Sequence, residues 1–220
     1  LGTGGGSSPF PVAVVGVSNA VNLDSGDSHS CVSLADKSVM CWGANGSFQT
    51  GQPSGAVVTV PALVPGLTGV VQVKTGSRHS CALLESGEID CWGDNFSGRL
   101  GDGTTTSRPE PQPVVGINDA TEISLGSDHS CAKLAGVRIA CWGANDFFQV
   151  GDGSQIDRYT PTVVQGFNAG AGGFTGVTPY RGSALRRLGA KCVTTTVVPL
   201  NNVPFSNVGP MLSLAFPSAE

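Results

Sequence analysis

The sequence predicts an all-β fold built from repeated four-stranded units, and three observations indicate it. A short pattern of strand-forming residues recurs every fifty residues along the chain. Each copy contains runs of alternating apolar and polar residues that end on glycine, which is typical of short strands joined by turns. The composition agrees, because the 220 residues include 32 glycines and are 40% hydrophobic but only 13% charged.

The element that organises each repeat is a hairpin bounded by two cysteines. The first copy runs from His29-Ser30-Cys31 to Cys41-Trp42-Gly43, with nine residues between its cysteines. The second and third copies begin at His79 and His129 and repeat this pattern without a shift. In the second copy, Glu85-Ser86-Gly87 fits a type I turn followed by a glycine bulge. Strands centred on that turn place the two cysteines of a copy opposite each other.

Opposed residues of a hairpin have a separation that a disulfide accepts, so we expect one disulfide in each copy. The predicted pairs are Cys31–Cys41, Cys81–Cys91 and Cys131–Cys141. Reduced thiols and a zinc site are the alternatives, although a nine-residue gap is unlike the spacing of a zinc knuckle. Six paired cysteines favour an oxidising compartment, and we therefore expect an extracellular or secreted protein.

Cys192 is the seventh cysteine and has no counterpart in the hairpin pattern. An unpaired cysteine in a secreted protein suggests an intermolecular bridge or a reactive thiol. The simpler interpretation is a buried free cysteine at a decayed disulfide position.

Two further strands complete each predicted unit. Four related segments begin at Pro11, Pro61, Pro111 and Pro161, and each ends on a glycine five residues later. An alternating run follows each segment and leads into the hairpin, and a glycine loop follows the hairpin. Prolines suit the first residue or the edge of a strand, so the four segments are predicted to be strands.

Four strands in a period of fifty residues are typical of a β-propeller blade. The series Gly76-Ser-Arg-His-Ser-Cys81, Gly87-Glu-Ile-Asp-Cys-Trp-Gly93 and Gly98-Arg-Leu-Gly-Asp-Gly103 resembles a repeat of the regulator of chromosome condensation family, in its cysteine-paired extracellular form. The resemblance covers roughly residues 11–166. It implies propeller blades, usually seven in a closed ring, that bind proteins through loops on the ring faces.

Three hairpins do not complete such a ring, so we expect an incomplete β-propeller-like array of three four-stranded blades and a degenerate fourth. Residues 1–10 are predicted to form a flexible N-terminal arm because they are rich in glycine and serine. Residues 11–166 contain the three repeats, and residues 167–220 contain the degenerate fourth repeat and the C-terminal tail.

An open array exposes the hydrophobic sides of its terminal blades. We therefore expect an extracellular, non-enzymatic protein that self-associates through open blade faces, with a filament as one form of assembly. The alternative is a fragment of a secreted seven-bladed propeller that binds or inhibits another protein through its loops. The expected partners are copies of the chain or another extracellular protein.

Other classes of function find little support in the sequence. A net charge of −4 and an isoelectric point of about 5.3 argue against nucleic-acid binding. There is no run of 18 apolar residues to span a membrane, and we predict no catalytic residues, cofactor or metal site. The repeated histidines and tryptophans are expected to be structural, the histidines bonding between adjacent strands. Asn45 and Asn95 begin N-glycosylation sequons, but both also suit a turn.

Overall fold

The computed structural model describes residues 2–6, 8–136 and 138–166. The predicted degenerate repeat, the C-terminal tail and Cys192 lie outside the described residues. The described residues form twelve strands in three antiparallel sheets of four strands each. This arrangement confirms the predicted all-β fold with three four-stranded blades, and the sheets do not close into a ring.

Each sheet, called a blade below, takes its strands in chain order. Blade one contains Ala20–Ser25 (β1), His29–Leu34 (β2), Val39–Gly43 (β3) and Val58–Leu63 (β4). Blade two contains Val70–Thr75 (β5), His79–Leu84 (β6), Ile89–Gly93 (β7) and Arg108–Pro113 (β8). Blade three contains Ala120–Leu125 (β9), His129–Leu134 (β10), Arg138–Gly143 (β11) and Arg158–Val163 (β12).

The central hairpin of each blade has the predicted register. Cys31 faces Cys41 across β2 and β3, and the other two cysteine pairs oppose each other in the same way. The structure contains all three intra-blade disulfides, each with a Cα–Cα distance of 4.1 Å. The turn that sets this register needs a left-handed residue, which is Gly87 with a φ of 82° in blade two and Lys37 with a φ of 66° in blade one.

The outer strands differ from the segments that the prolines suggested. β4 ends at Leu63, so only the first half of the segment from Pro61 to Gly66 is extended, and β8 and β12 end at the same repeat position. The prediction of a strand in residues 11–16 is wrong, because these residues form no strand. The outer strands pair with the third strand of their own blade, and in the described residues no such strand lies beside residues 11–16.

The hydrophobic core lies between neighbouring blades rather than within one sheet. The first blade junction packs the disulfide of Cys31 and Cys41 against β5 and the segment before it. The second junction repeats this packing one blade later, with the disulfide of Cys81 and Cys91 on one side. The first strands of neighbouring blades are also joined by a hydrogen bond, in which the Val73 amide of β5 donates to Asn22 Oδ1 of β1 at 3.0 Å. A chain of this kind stabilises each blade mainly through its neighbours.

Within the part of the chain that the structure describes, no helix is long and apolar enough to cross a membrane.

Candidate interaction surface

Each blade junction buries one apolar side chain from each of four repeat positions on its C-terminal side. These positions recur every third residue, because they lie on the loop before the inner strand and then on that strand. At the first junction they are Val64, Leu67, Val70 and Val73, and at the second they are Val114, Ile117, Ala120 and Ile123. All eight side chains are buried, with Val73 at 0% and Ile123 at 2% exposure.

Blade one presents the same four positions, and none of the described sheets lies beside it on this side. They are Val14, Val17, Ala20 and Leu23, and we call this set the open face. Val14 and Val17 are half-buried and Ala20 is exposed. Leu23 is 59% exposed, whereas its counterparts Val73 and Ile123 are completely buried. The open face therefore has the composition of a blade junction but the exposure of a surface.

The far side of blade three is the other end of the described array. Cys131, Cys141 and Val150 are buried there and pack with Ile139 and Val164. Ile139 and Val164 are only half-buried, whereas the equivalent side chains at the internal junctions are buried, so this end is also partly uncovered among the described residues.

A polar network runs through each junction beside the apolar core. His29 Nε2 lies 2.8 Å from Ser80 Oγ, and that hydroxyl donates to the Gln49 carbonyl at 2.9 Å. The Trp92 indole N–H donates to the same carbonyl at 3.1 Å. Since the only proton of Ser80 goes to Gln49, His29 must donate from Nε2 and leave Nδ1 unprotonated. One carbonyl and one hydroxyl thus join two blades.

The second junction has the same network. His79 Nε2 lies 2.9 Å from Ser130 Oγ, and both Ser130 and Trp142 donate to the Arg99 carbonyl at 2.9 Å. The histidines were expected to be structural and to bond between adjacent strands, and the structure shows that His29 and His79 bond to a strand of the next blade. The structural interpretation of the tryptophans agrees with their burial, which is 7% exposure or less for all three.

Burial keeps these histidines neutral. Desolvation lowers the pKa of His29 to about 4, against the opposing effect of Asp24 and Asp27. Desolvation also holds the pKa of His79 well below its ordinary value, and the nearby Arg99 charge adds to this shift. A neutral imidazole that is committed to an inter-blade hydrogen bond fits a structural role.

At the open face no carbonyl of the described residues accepts from the donors of this network. Ser30 occupies the position of Ser80 and Ser130, and its hydroxyl lies 2.9 Å from Ser25 Oγ instead. Among the described residues, the Trp42 indole N–H has no hydrogen-bond acceptor, although Trp92 and Trp142 each have one. Within the described part of the chain, the open face thus lacks partners for its polar side chains as well as for its apolar ones.

The two sequon asparagines are buried inside loops. Asn95 is 0% exposed, its Oδ1 accepts from the Leu100 amide at 2.9 Å, and its Nδ2 donates to Asp102 Oδ1 at 3.0 Å. Asn45 is also fully buried, and its Oδ1 accepts from the Thr50 amide at 3.0 Å. A glycan on Nδ2 would displace the bonds that this nitrogen donates. N-glycosylation stays a prediction, and the turn interpretation has a direct structural basis.

The aspartates of the glycine loops are likewise occupied by the loops themselves. Asp102 Oδ1 accepts from the Thr104 amide at 2.9 Å, and Asp152 Oδ1 accepts from the Ser154 amide at 2.9 Å. Among the described residues, no group of three or more histidine, cysteine, aspartate or glutamate side chains is placed to hold a metal.

Two features of the surface escaped the sequence reasoning. Phe96 and Phe147 are 75% and 74% exposed, and each lies in the loop that follows the Trp-Gly pair of its blade. Residues 2–6 are the second feature, because Gly2 and Gly4 contact blade one through backbone hydrogen bonds. The contact of residues 2–6 could have been predicted from the similarity between Leu1-Gly2-Thr3-Gly4 and Leu100-Gly101-Asp102-Gly103.

Comparison with protein families identifies the repeat. Two family models, both described as the Regulator of chromosome condensation (RCC1) repeat, match residues 20–49 and 70–99 and residues 36–83 and 86–132. Together these matches span residues 20–132, about half of the 220 residues. A search of curated proteins gave no match.

Solved structures show the same blades. Prp20p of Saccharomyces cerevisiae, whose structure is described with its binding to Gsp1p and histones, matches with a TM-score of 0.62 and 23% identity. That match covers 68% of this chain and 39% of Prp20p. Human WBSCR16 matches with a TM-score of 0.60 and 22% identity over 66% of this chain and 39% of that protein. This chain therefore spans about two fifths of either protein, and the likeness shows the fold.

Proposed function

Because this chain belongs to the regulator of chromosome condensation (RCC1) repeat family, we propose that it is a binding protein rather than an enzyme and associates with copies of itself. The contact runs through the open face. The observation that carries this proposal is the exposure of Leu23, which is 59% where the two equivalent side chains are at 0% and 2%.

Burial of the open face supplies the driving force. Full burial of a leucine or valine side chain stabilises a complex by roughly 1.5–3 kcal/mol, before the costs of association are subtracted. Leu23, Ala20, Val14 and Val17 lie together because they repeat the positions that make a continuous core at both internal junctions. A second copy that covers this face removes the same apolar surface from water.

The far side of blade three offers a second face for the contact. Ile139 and Val164 are only half-buried there, whereas the equivalent side chains at the internal junctions are buried. A head-to-tail contact between this side of one copy and the open face of another ends with a dimer if the rotation closes and extends into a filament if it does not.

The three disulfides support an extracellular site of action. All six cysteines are at most 3% exposed and pair within one hairpin each. Disulfides of this structural kind form and persist in oxidising compartments.

Sedimentation velocity over a dilution series tests self-association. The wild-type chain is expected to shift from dimer to monomer on dilution, whereas Leu23→Asp is expected to stay monomeric because a charge at this position cannot be buried without a partner. Val21→Asp is the matched control, since Val21 is exposed on the same strand and its counterpart Val71 remains exposed within the array. Equal behaviour of all three proteins would refute the proposal.

A second candidate function is binding of a different extracellular protein through the loops. The exposed Phe96 and Phe147 favour it, because each projects from an equivalent loop of a neighbouring blade. Phe96→Ala combined with Phe147→Ala is expected to weaken binding to such a partner and to leave the sedimentation profile unchanged. The open-face variant Leu23→Asp is expected to give the opposite pattern.

A further inference from the structure

The first residues of the chain occupy a position that glycine loops occupy elsewhere in the array. The Val15 amide donates to the Gly2 carbonyl at 3.0 Å, as the Val115 amide donates to the Gly101 carbonyl at 3.0 Å. The Gln165 amide makes the same bond to the Gly151 carbonyl at 2.9 Å. Gly2 thus accepts the same backbone bond as Gly101 and Gly151, which occupy one repeat position fifty residues apart.

A second backbone hydrogen bond is also equivalent in the two segments. The Gly4 amide donates to the Thr59 carbonyl in β4 at 3.0 Å, and the Gly103 amide donates to the Tyr159 carbonyl in β12 at 2.9 Å. In each case the glycine lies beside the outer strand of a blade. Residues 2–4 therefore bind blade one in the manner in which residues 101–103 bind blade three.

The backbone conformations and the contacted side chain match as well. Gly2 has a φ of 70° and Gly101 a φ of 72°, and Gly4 and Gly103 have φ values of 87° and 81°. A Cβ on Gly2 would lie 3.0 Å from Trp42 Nε1, and a Cβ on Gly101 would lie 2.7 Å from Trp142 Nε1. All four φ values are left-handed and favour glycine, and at Gly2 and Gly101 the close approach of the indole disfavours a side chain as well.

The surface that receives residues 2–4 is called the glycine-loop site below. It consists of the Trp42 indole, the Val15 amide with the neighbouring Val14, and the Thr59 carbonyl. Loop 101–103 is also held from within, because Asp102 accepts hydrogen bonds from Asn95 and Thr104. Thr3 stands in place of Asp102, and its hydroxyl bonds only to the Gly5 carbonyl at 3.0 Å among the described residues.

We propose that the glycine-loop site binds the loop Gly151-Asp152-Gly153 of a second copy, and that residues 2–4 are its resident competitor. This inference rests on the proposed self-association and names the element that a second copy contributes. Gly151 and Gly153 already have the required φ values of 75° and 82°. Gly151 is only half-buried within its own chain, whereas Gly2, Gly51 and Gly101 are buried.

The exchange breaks two backbone hydrogen bonds at the carbonyls, from Val15 to Gly2 and from Gln165 to Gly151, and forms one, from Val15 to Gly151 of the other copy. The Gly153 amide takes the place of the Gly4 amide at the Thr59 carbonyl, so this bond is replaced one for one. The released Gly2 carbonyl and Gln165 amide return to water, which satisfies them at a small net cost. The exchange also brings the Gln149 carbonyl of the second copy to Trp42 and Ser30, since Gln49 and Arg99 hold that position at the two internal junctions.

Peptide binding to a shortened chain tests the site directly. The variant lacks residues 1–6, is labelled with ¹⁵N, and receives a synthetic peptide of residues 149–156. The Trp42 indole resonance is expected to shift and saturate at millimolar peptide, while Trp92 and Trp142 stay in place because their loops are part of the chain. These two resonances also report that the variant is folded. A second variant is full-length Gly2→Val, in which strain at position 2 displaces residues 2–4 from the site.

Two controls set the specificity. A peptide with Gly151→Ala and Gly153→Ala is expected to bind at least about tenfold more weakly, because alanine is strained at a left-handed φ. The intact chain is expected to bind the original peptide more weakly than the shortened chain, since residues 2–4 occupy the site. Absence of a Trp42 shift in both variants, or equal shifts of all three indoles, would overturn the inference.

The outcome separates this inference from the proposed self-association. If the peptide binds but the intact chain is monomeric at every concentration, the glycine-loop site stands and the self-association fails. If Leu23→Asp abolishes a dimer but the peptide does not bind either variant, the dimer stands and the loop exchange is wrong.

Discussion

Blades one and two have the same repeat positions on their N-terminal sides, yet these side chains are exposed in blade one and buried in blade two. Val73 is fully buried against blade one, and Leu23 is 59% exposed at the equivalent position. The polar side chains differ in the same way. The Ser80 hydroxyl accepts from His29 and donates to Gln49, whereas the Ser30 hydroxyl hydrogen-bonds only to Ser25 among the described residues. Burial in this molecule is therefore a property of the neighbouring blade and not of the repeat itself.

The largest difference is expected from a charge at the two equivalent apolar positions. Val73→Asp places an unpaired carboxylate in the first junction and is expected to cost more than about 4 kcal/mol in the free energy of unfolding. Leu23→Asp is expected to stay within about 0.5 kcal/mol of the wild type, because its side chain reaches water. Urea denaturation at a concentration where the chain is monomeric measures both. Equal destabilisation would mean that the open face is covered within one chain.

Removal of a junction disulfide is expected to have the next largest effect. Cys81→Ala with Cys91→Ala opens a closed loop of about ten residues, which predicts a loss of about 3 kcal/mol. The same change at Cys31 and Cys41 should cost a similar amount, because both disulfides lie in internal junctions. Urea denaturation under non-reducing conditions compares the two variants. A loss below about 1 kcal/mol for both would show that packing alone holds the hairpins.

Acid is expected to weaken the first junction through His29. Its pKa in the folded chain is about 4 and its ordinary value is 6.5, so the unfolded chain binds more protons between these values. The contribution is complete above pH 6.5 and is lost as the pH falls toward 4, which amounts to about 2 kcal/mol by pH 5. His79 acts in the same direction, because its pKa is also lowered. Denaturation curves of wild type and His29→Gln should converge as the pH falls, and parallel curves would contradict this account.

The smallest contrast is expected between two serines. Ser80→Ala removes the hydroxyl that accepts from His29 and donates to Gln49, which leaves buried groups unpaired and should cost about 1.5 kcal/mol. Ser30→Ala loses only a contact with Ser25 and should cost less than about 0.5 kcal/mol. Thermal unfolding of the two variants measures the contrast. The reverse order would show that the network does not join the blades.

The sequence predicted what depends on local register and missed what depends on the next blade. The three cysteine pairs could be predicted because a short turn fixes which residues oppose each other. The bond from His29 to Ser80 crosses 51 residues, and no local pattern shows which blade faces which histidine. The alternation within β1 does not by itself distinguish Leu23 from its buried counterpart in β5, and the exposure of a terminal blade was expected only from the number of hairpins.

The composition of the N-terminal segment does not show how it contacts blade one. Glycine and serine in residues 1–10 indicate a flexible arm, which stays a prediction, and the contacts of Gly2 and Gly4 depend on left-handed φ values that composition does not show. The spacing hid the relationship, because Val15 is 13 positions after Gly2 whereas Val115 is 14 positions after Gly101. The strand predicted at residues 11–16 failed because strand formation there needs a hairpin strand to pair with, not only prolines and valines.

Hydrogen–deuterium exchange of β1 at low and high protein concentration tests the open face most directly. The amides of Ala20–Ser25 are expected to exchange more slowly at high protein concentration, because a second copy covers them. The equivalent amides of Val70–Thr75 should not change, since blade one already covers β5 at every concentration. Equal exchange of Ala20–Ser25 at both concentrations would contradict the claim that the open face is where this chain binds another copy.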